Sequence, residues 1–292
     1  MMTNALDIRP SPLAGRWYPA NPERLAKSVD AYIKSAQLPA LEGEIIGVVA
    51  PHAGHQYSGP VAGYAFATFK GLAPQLVVIV SPMHRPFHHP IVVSGHQAYE
   101  TPLGVVEIHS EAVEAFTQTA ESQFGISISA VRYDDEHSLE IEIPFLQRVL
   151  PDGFKILPLM VRDNSPIILQ KIGQALGSVA DKWKALFVAS TDLSHFYPQN
   201  VAERLDREIL ARMESFDPIY FLHAEEEGVG FACGRAAVAT VMWAAKELGA
   251  NRIQVLHYAT SGNVTGDYSQ VVGYGAAVIL RQSAPKEEKK SP

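Results

Sequence analysis

The chain has 292 residues, of which 47% are hydrophobic and 19% charged, and its formal net charge is −7. That length allows one large α/β domain or two smaller ones, and the apolar content supports a sizeable core. The acidic balance argues against a protein that binds nucleic acid by releasing counterions and weakly against an anionic membrane surface, while the single cysteine, Cys233, excludes an internal disulfide framework and any paired-cysteine zinc site.

The first residues carry no apolar signal-peptide core, and no run of about 18 apolar residues follows, so a soluble cytoplasmic protein is expected. Residues 1–9 read as a flexible N-terminus. The proline-rich stretch around Arg16-Trp17-Tyr18-Pro19-Ala20 then reads as an extended arm. Asn21 as N-cap and Pro22 at the first helical position start a helix. Short apolar, β-branched runs at 44–50, 76–81, 155–161 and 185–190 suit strands covered on both faces. Helical spacing predicts helices over 60–70 with Pro60 at the first position, and over 165–182, 201–215 and 235–248, the last stopped by Gly249. Asp217 and Pro218 open another helix, and strands follow in "RIQVLHYA" and "VVGYGAAVIL". Residues 91–109 read as paired strands with a turn at Thr101-Pro102-Leu103-Gly104. In 138–150 strand-like alternation competes with a helix capped by Ser138 and kinked at Pro144; helix is preferred. The charged stretch 283–292 reads as a disordered tail. No linker divides the chain, so a single α/β domain over 10–282 is expected, with a mixed, mainly parallel sheet between helices on both faces.

In α/β folds chemistry gathers past the C-terminal ends of strands. Six of the 11 histidines lie in three such loops: His52 and His55, then His84, His88 and His89, then His195. Imidazole is the commonest metal ligand at neutral pH. His52 and His84, directly after strands, read as ligands; His55, His88 and His89 read as solvated loop residues. Asp192, three residues before His195, suits a carboxylate that fixes an imidazole tautomer, or a helix cap. The acidic run at 133–142 reads either as a capped helix start or as a source of His137 or Glu140 for the histidine cluster. Phosphate-binding glycine loops and a serine nucleophile elbow are absent. A lone cysteine such as Cys233 is by itself most often a small buried hydrophobe.

Taken together, "APHAG" with "YSG", "SPMH", "ETPLG", "DEHSLE" with "PFL", "STDLSH" and "CGR" resemble the Memo family, whose prokaryotic members are called AmmeMemoRadiSam system protein B. The arm "RWYPA" and the stretch 257–276 fit as well, so the resemblance covers about residues 8–281. It implies a fold similar to class III extradiol dioxygenases, which hold Fe(II) on two histidines and a glutamate. It further implies a metal site on His52, His84 and Cys233, with Asp192 and His195 lining the same pocket. A thiolate in place of the carboxylate softens the site toward copper or zinc. The resemblance thus implies an open His/His/Cys centre holding a divalent or redox metal, iron or copper first and zinc next, with redox or dioxygenase-like activity. His195 would act as acid/base, oriented by Asp192, and Arg235 would hold an anionic substrate group or a salt bridge. Two alternatives are a non-catalytic module that binds a peptide or partner protein in the same pocket, and a zinc hydrolase with Glu140 or Asp192 as base. By resemblance, the partners are a radical SAM protein and an AMMECR-type protein.

Overall fold

The computed structural model describes residues 6–283, so the expected tail lies outside the described residues but for Ser283. In chain order the first elements are β1 (Ile8–Arg9), α1 (Pro22–Ser35), β2 (Glu44–Ala50), α2 (His55–Ala67), β3 (Leu76–Pro82), β4 (Ile91–Ser94), β5 (Ala98–Thr101) and β6 (Gly104–Glu107). Next come α3 (Ser110–Phe124), β7 (Ile128–Val131), a single 3-10 turn (Glu140–Glu142), α4 (Ile143–Val149), β8 (Lys155–Val161), α5 (Pro166–Trp183) and β9 (Leu186–Ser190). The last are β10 (His195–Tyr197), α6 (Gln199–Glu214), α7 (Pro218–Glu226), α8 (Arg235–Glu247), β11 (Arg252–Thr260), α9 (Gly262–Thr265) and β12 (Val271–Arg281).

The main sheet runs β10-β12-β2-β9-β3-β8-β4-β7, with β11 paired to β12. Its centre is parallel, β2 to β9, β9 to β3 and β3 to β8. The joins β2–β12 and β8–β4 are antiparallel, so the sheet is mixed. Every residue of β3 and β9 is buried, the pattern of strands with helices on both faces. On one face α3, α5, α7 and α8 close a core around Phe187, Met242 and Leu176; on the other α1, α2 and α4 close a second around Phe66, Phe145 and Val188. Glycines let α5 press against α8: a Cβ on Gly173 would stand 2.5 Å from the Trp243 Cβ. β1, β5 and β6 form a separate three-stranded sheet.

Three expectations need correction, and the helix preferred over 138–150 forms. Ile8 and Arg9, placed in the flexible terminus, pair with β5, because the Arg9 guanidinium is buried on Asp134 and Glu140. α2 starts at His55, not at Pro60; the proline sits in the second turn, where it removes the hydrogen bond to the carbonyl of residue 56. Early start is fixed by the arm, since the His55 N–H donates to the Trp17 carbonyl at 2.9 Å. Of the strands expected over 91–109, only β5 and β6 form the hairpin, with Thr101 opposite Gly104; β4 joins the main sheet. The ambiguous 138–150 is helical, with Pro144 in the first turn of α4, where no intrahelical donor is required. α3 and β7 went unforeseen.

Candidate metal centre

Three chain crossings build the site. The loop after β2 carries His52, the loop after β3 carries His84, and the approach to α8 carries Cys233. β2 and β3 both pair with β9, so the two histidine loops leave the same edge of the sheet on either side of Ser190. One ligand atom each of His52, His84 and Cys233 fall within 4.8 Å of one another.

Each imidazole has one nitrogen engaged. The buried His52 ring sets Nδ1 2.9 Å from the Ser190 Oγ, and Nε2 faces the Cys233 Sγ at 3.2 Å. For His84, Nδ1 lies 2.9 Å from Glu136 Oε1, while its backbone N–H donates to Glu136 Oε2 at 2.6 Å. Hydrogen bonds of this kind fix the tautomer and leave the second nitrogen's lone pair for a metal. Burial, and then the charges of His137 and His84, push His52 well below the ordinary imidazole value, so it stays neutral. Glu136 is held far below the usual carboxylate range: burial works against ionisation, but the hydrogen bond and charge of His84 outweigh it.

Cys233 is half-buried, and its sulfur accepts the Asp192 N–H at 3.3 Å. Burial, and then the Asp192 carboxylate, raise the thiol above its ordinary value. Without a metal the pair is therefore S–H to imidazole nitrogen; a metal ion would take the place of that proton. Gly234 makes the approach possible. A Cβ there would stand 2.1 Å from the Ser190 carbonyl oxygen, so only glycine lets α8 begin against the end of β9.

His137 reaches the cluster: it stacks on His84 at 4.6 Å and on Trp17 at 4.3 Å and meets His52 edge-on. Burial drops it to about 4. Glu140 does not reach it. Fully buried, it takes the Arg9 guanidinium at 2.5 Å and the hydroxyls of Ser11 and Tyr18 at 2.6 Å, and so anchors the arm. Asp192 does not orient His195. Its Oδ1 accepts the His52 backbone N–H at 2.8 Å, and burial raises it to about 7. The His195 Nδ1 instead bonds the Leu193 carbonyl at 2.7 Å. His195 still lines a small cavity with Cys233 and Arg235. Arg235 is ion-paired with Glu225, the salt-bridge reading. His88 and His89 are exposed as expected. His55 is not a loop residue: it is buried, its Nε2 bonds the Ile141 carbonyl at 2.9 Å, and burial drops it to about 4.

Sequence reasoning missed Glu136, Ser190 and Trp17 as parts of the site. Glu136 was visible only within an acidic run. Its local signature is a carboxylate that caps the N–H groups of His137 and Ser138 at 2.9 and 3.0 Å, which spacing alone does not distinguish from an ordinary turn. Beside the cluster, a cavity of about 800 Å³ is walled by Trp17, Tyr18, Tyr32, Tyr57, Phe196 and Tyr274.

The donor set fits a metal: two imidazoles and a potential thiolate, on separate elements, each imidazole with its other nitrogen bonded. Comparison with known proteins agrees with the motifs. The family model described as Memo-like protein matches residues 9–278. A MEMO1 family protein of Nitrosopumilus maritimus is 36% identical over 278 residues, 94% of this chain and all of its own length. Another, from Thermotoga maritima, is 35% identical over 92% of this chain and 98% of its own. By these matches over nearly its whole length, the chain belongs to the Memo-like family, with the extradiol dioxygenase-like α/β fold that its motifs imply.

Proposed function

We propose that the chain holds a divalent or redox-active metal ion, iron or copper with zinc as the third candidate, on His52, His84 and the Cys233 thiolate. It would use that ion for redox or dioxygenase-like chemistry on a small substrate. The carrying observation is the convergence of three donor atoms within 4.8 Å. Three protein ligands leave positions open for substrate or O₂, and the thiolate makes the set softer than two histidines and a carboxylate. The metal, when bound, supplies Lewis-acid or electron-transfer chemistry at that point.

The chain's own residues do the rest. His195, its Nδ1 on the Leu193 carbonyl, presents Nε2 to give or take a proton. On the arm side Trp17 stacks on His137, which in turn stacks on His84. A zinc hydrolase is the weaker reading, since Glu140 is occupied by Arg9 and Asp192 by a backbone N–H. A binding module remains as the second reading, favoured by the aromatic-walled cavity. The radical SAM and AMMECR-type partners belong to this proposal, as does the cytoplasm as the place of action. Among the described residues no helix is long and apolar enough to cross a membrane.

Metal analysis of chelator-stripped and reloaded protein tests the centre. Wild type should take up about one equivalent, and His52→Ala with Cys233→Ser should lose at least tenfold in affinity. Unchanged affinity in that double variant rejects the assignment. Oxygen uptake by Fe(II)-loaded protein over a panel of phenols separates the enzyme from the module. Silence there, with peptide affinity that survives Cys233→Ser, favours the module. Co-expression pull-down tests the partners.

A further inference from the structure

Behind His52, away from Cys233, lies a buried acid that no step above uses. Glu142 sits in the 3-10 turn before α4 and is wholly buried. Its Oε1 is 2.6 Å from the Ser190 Oγ, and its Oε2 has no hydrogen-bond partner. No cationic side chain pairs with it among the described residues, and the carboxyl of Asp192 adds like charge against its ionisation.

The Ser190 Oγ has three close polar neighbours: Glu142 Oε1 at 2.6 Å, the Ser138 carbonyl at 2.7 Å and His52 Nδ1 at 2.9 Å. A hydroxyl has one hydrogen to give and two lone pairs to fill. The Ser138 carbonyl can only accept, so it takes that hydrogen. The other two neighbours must then both donate. Ionised Glu142 could not, and would set two acceptor oxygens against one hydroxyl proton while leaving a buried charged oxygen bare.

We infer that Glu142 is a positioning residue, held as the neutral acid, whose proton fixes Ser190 as acceptor for the His52 Nδ1–H and so keeps the Nε2 lone pair turned toward the metal centre. Burial pushes the Glu142 carboxyl well above its usual range, in the same direction. His84 is set by an ionised carboxylate and His52 by a neutral acid through a hydroxyl. The two ligands thus reach one tautomer by opposite means, and the second adds no negative charge beside the thiolate. The role as a metal-positioning device rests on the reading of His52 as a ligand; the protonation pattern does not.

Metal-free protein provides the test. Long-range ¹H–¹⁵N spectra should show His52 protonated at Nδ1 at neutral pH. The infrared difference between wild type and Glu142→Gln should contain a protonated-carboxyl band that the variant lacks. Gln carries an N–H donor, so Glu142→Gln should bind Zn²⁺ within about twofold of wild type in competition with a chromophoric chelator. Ser190→Ala should bind 10- to 100-fold more weakly, in the range of lost outer partners of metal ligands. His52 protonated at Nε2 in wild type, or the absence of that carboxyl band, overturns the inference; both are read on wild type and the isosteric Gln variant even if Ser190→Ala does not fold. Failure of wild type to bind Zn²⁺ would reject the metal reading instead, with the protonation pattern still decided by the spectra.

Discussion

His55 shows how a residue's neighbourhood reverses a plausible reading. The sequence sets it in a glycine-flanked loop three residues past His52. In the folded chain it is the first residue of α2, its ring packed edge-on to Phe145 and tilted against Tyr18. Burial lowers it from the ordinary 6.5 to about 4, so it folds neutral. The unfolded chain then binds the proton more readily, and stability is present above about pH 6.5 and lost as pH falls toward 4. The size is about 3 kcal/mol from this residue. Denaturant unfolding from pH 7 to 4.5 should show a shallower decline in His55→Gln than in wild type. The Cys233 thiol gives a second expectation. It is protonated without metal, so calorimetry in buffers of different ionisation enthalpy should report release of about one proton per Zn²⁺ in wild type, and less in Cys233→Ser.

Among the elements, the N-terminal arm gains most from the tertiary structure. β1 is only two residues long, yet Arg9 is buried on Asp134 at 2.8 Å and Glu140 at 2.5 Å. Arg9→Ala would leave Glu140 uncompensated in the core, at a cost of about 3–5 kcal/mol. It would also free the arm that lays Trp17 on His137, so a Trp17 fluorescence change should accompany the lower denaturant midpoint. The junction of β9 and α8 is as sensitive. Gly234→Ala forces the helix start away from Ser190, and the expected loss is about 1–3 kcal/mol of stability together with weaker Zn²⁺ binding.

For the molecule as a whole, the centre joins loops from β2 and β3 to the start of α8, elements far apart in sequence. An ion held there binds the folded chain only, and at 100 times its dissociation constant it adds about 2.7 kcal/mol. A chain of this size should then melt a few degrees higher with metal. Thermal scans with and without Zn²⁺ should show that rise in wild type and lose it in Cys233→Ser.

The central strands were legible from the sequence because their runs are apolar on both faces, a pattern that burial between helices dictates locally. Caps such as Asn21 and Asp217 were legible because one side chain and one or two neighbouring N–H groups decide them. His52 and His84 could be singled out by their place after strands, and Cys233 only through the family's motifs. Three-dimensional structure alone decided that Glu140 belongs to the arm and His137 to the centre, although three residues separate them. It also showed that Glu136, not Asp192, holds an imidazole, and that Ser190 holds the other. Contacts of this kind join residues about 50 to 180 positions apart in the chain. No local period or propensity encodes them, because they are set by which strand ends the sheet order places side by side.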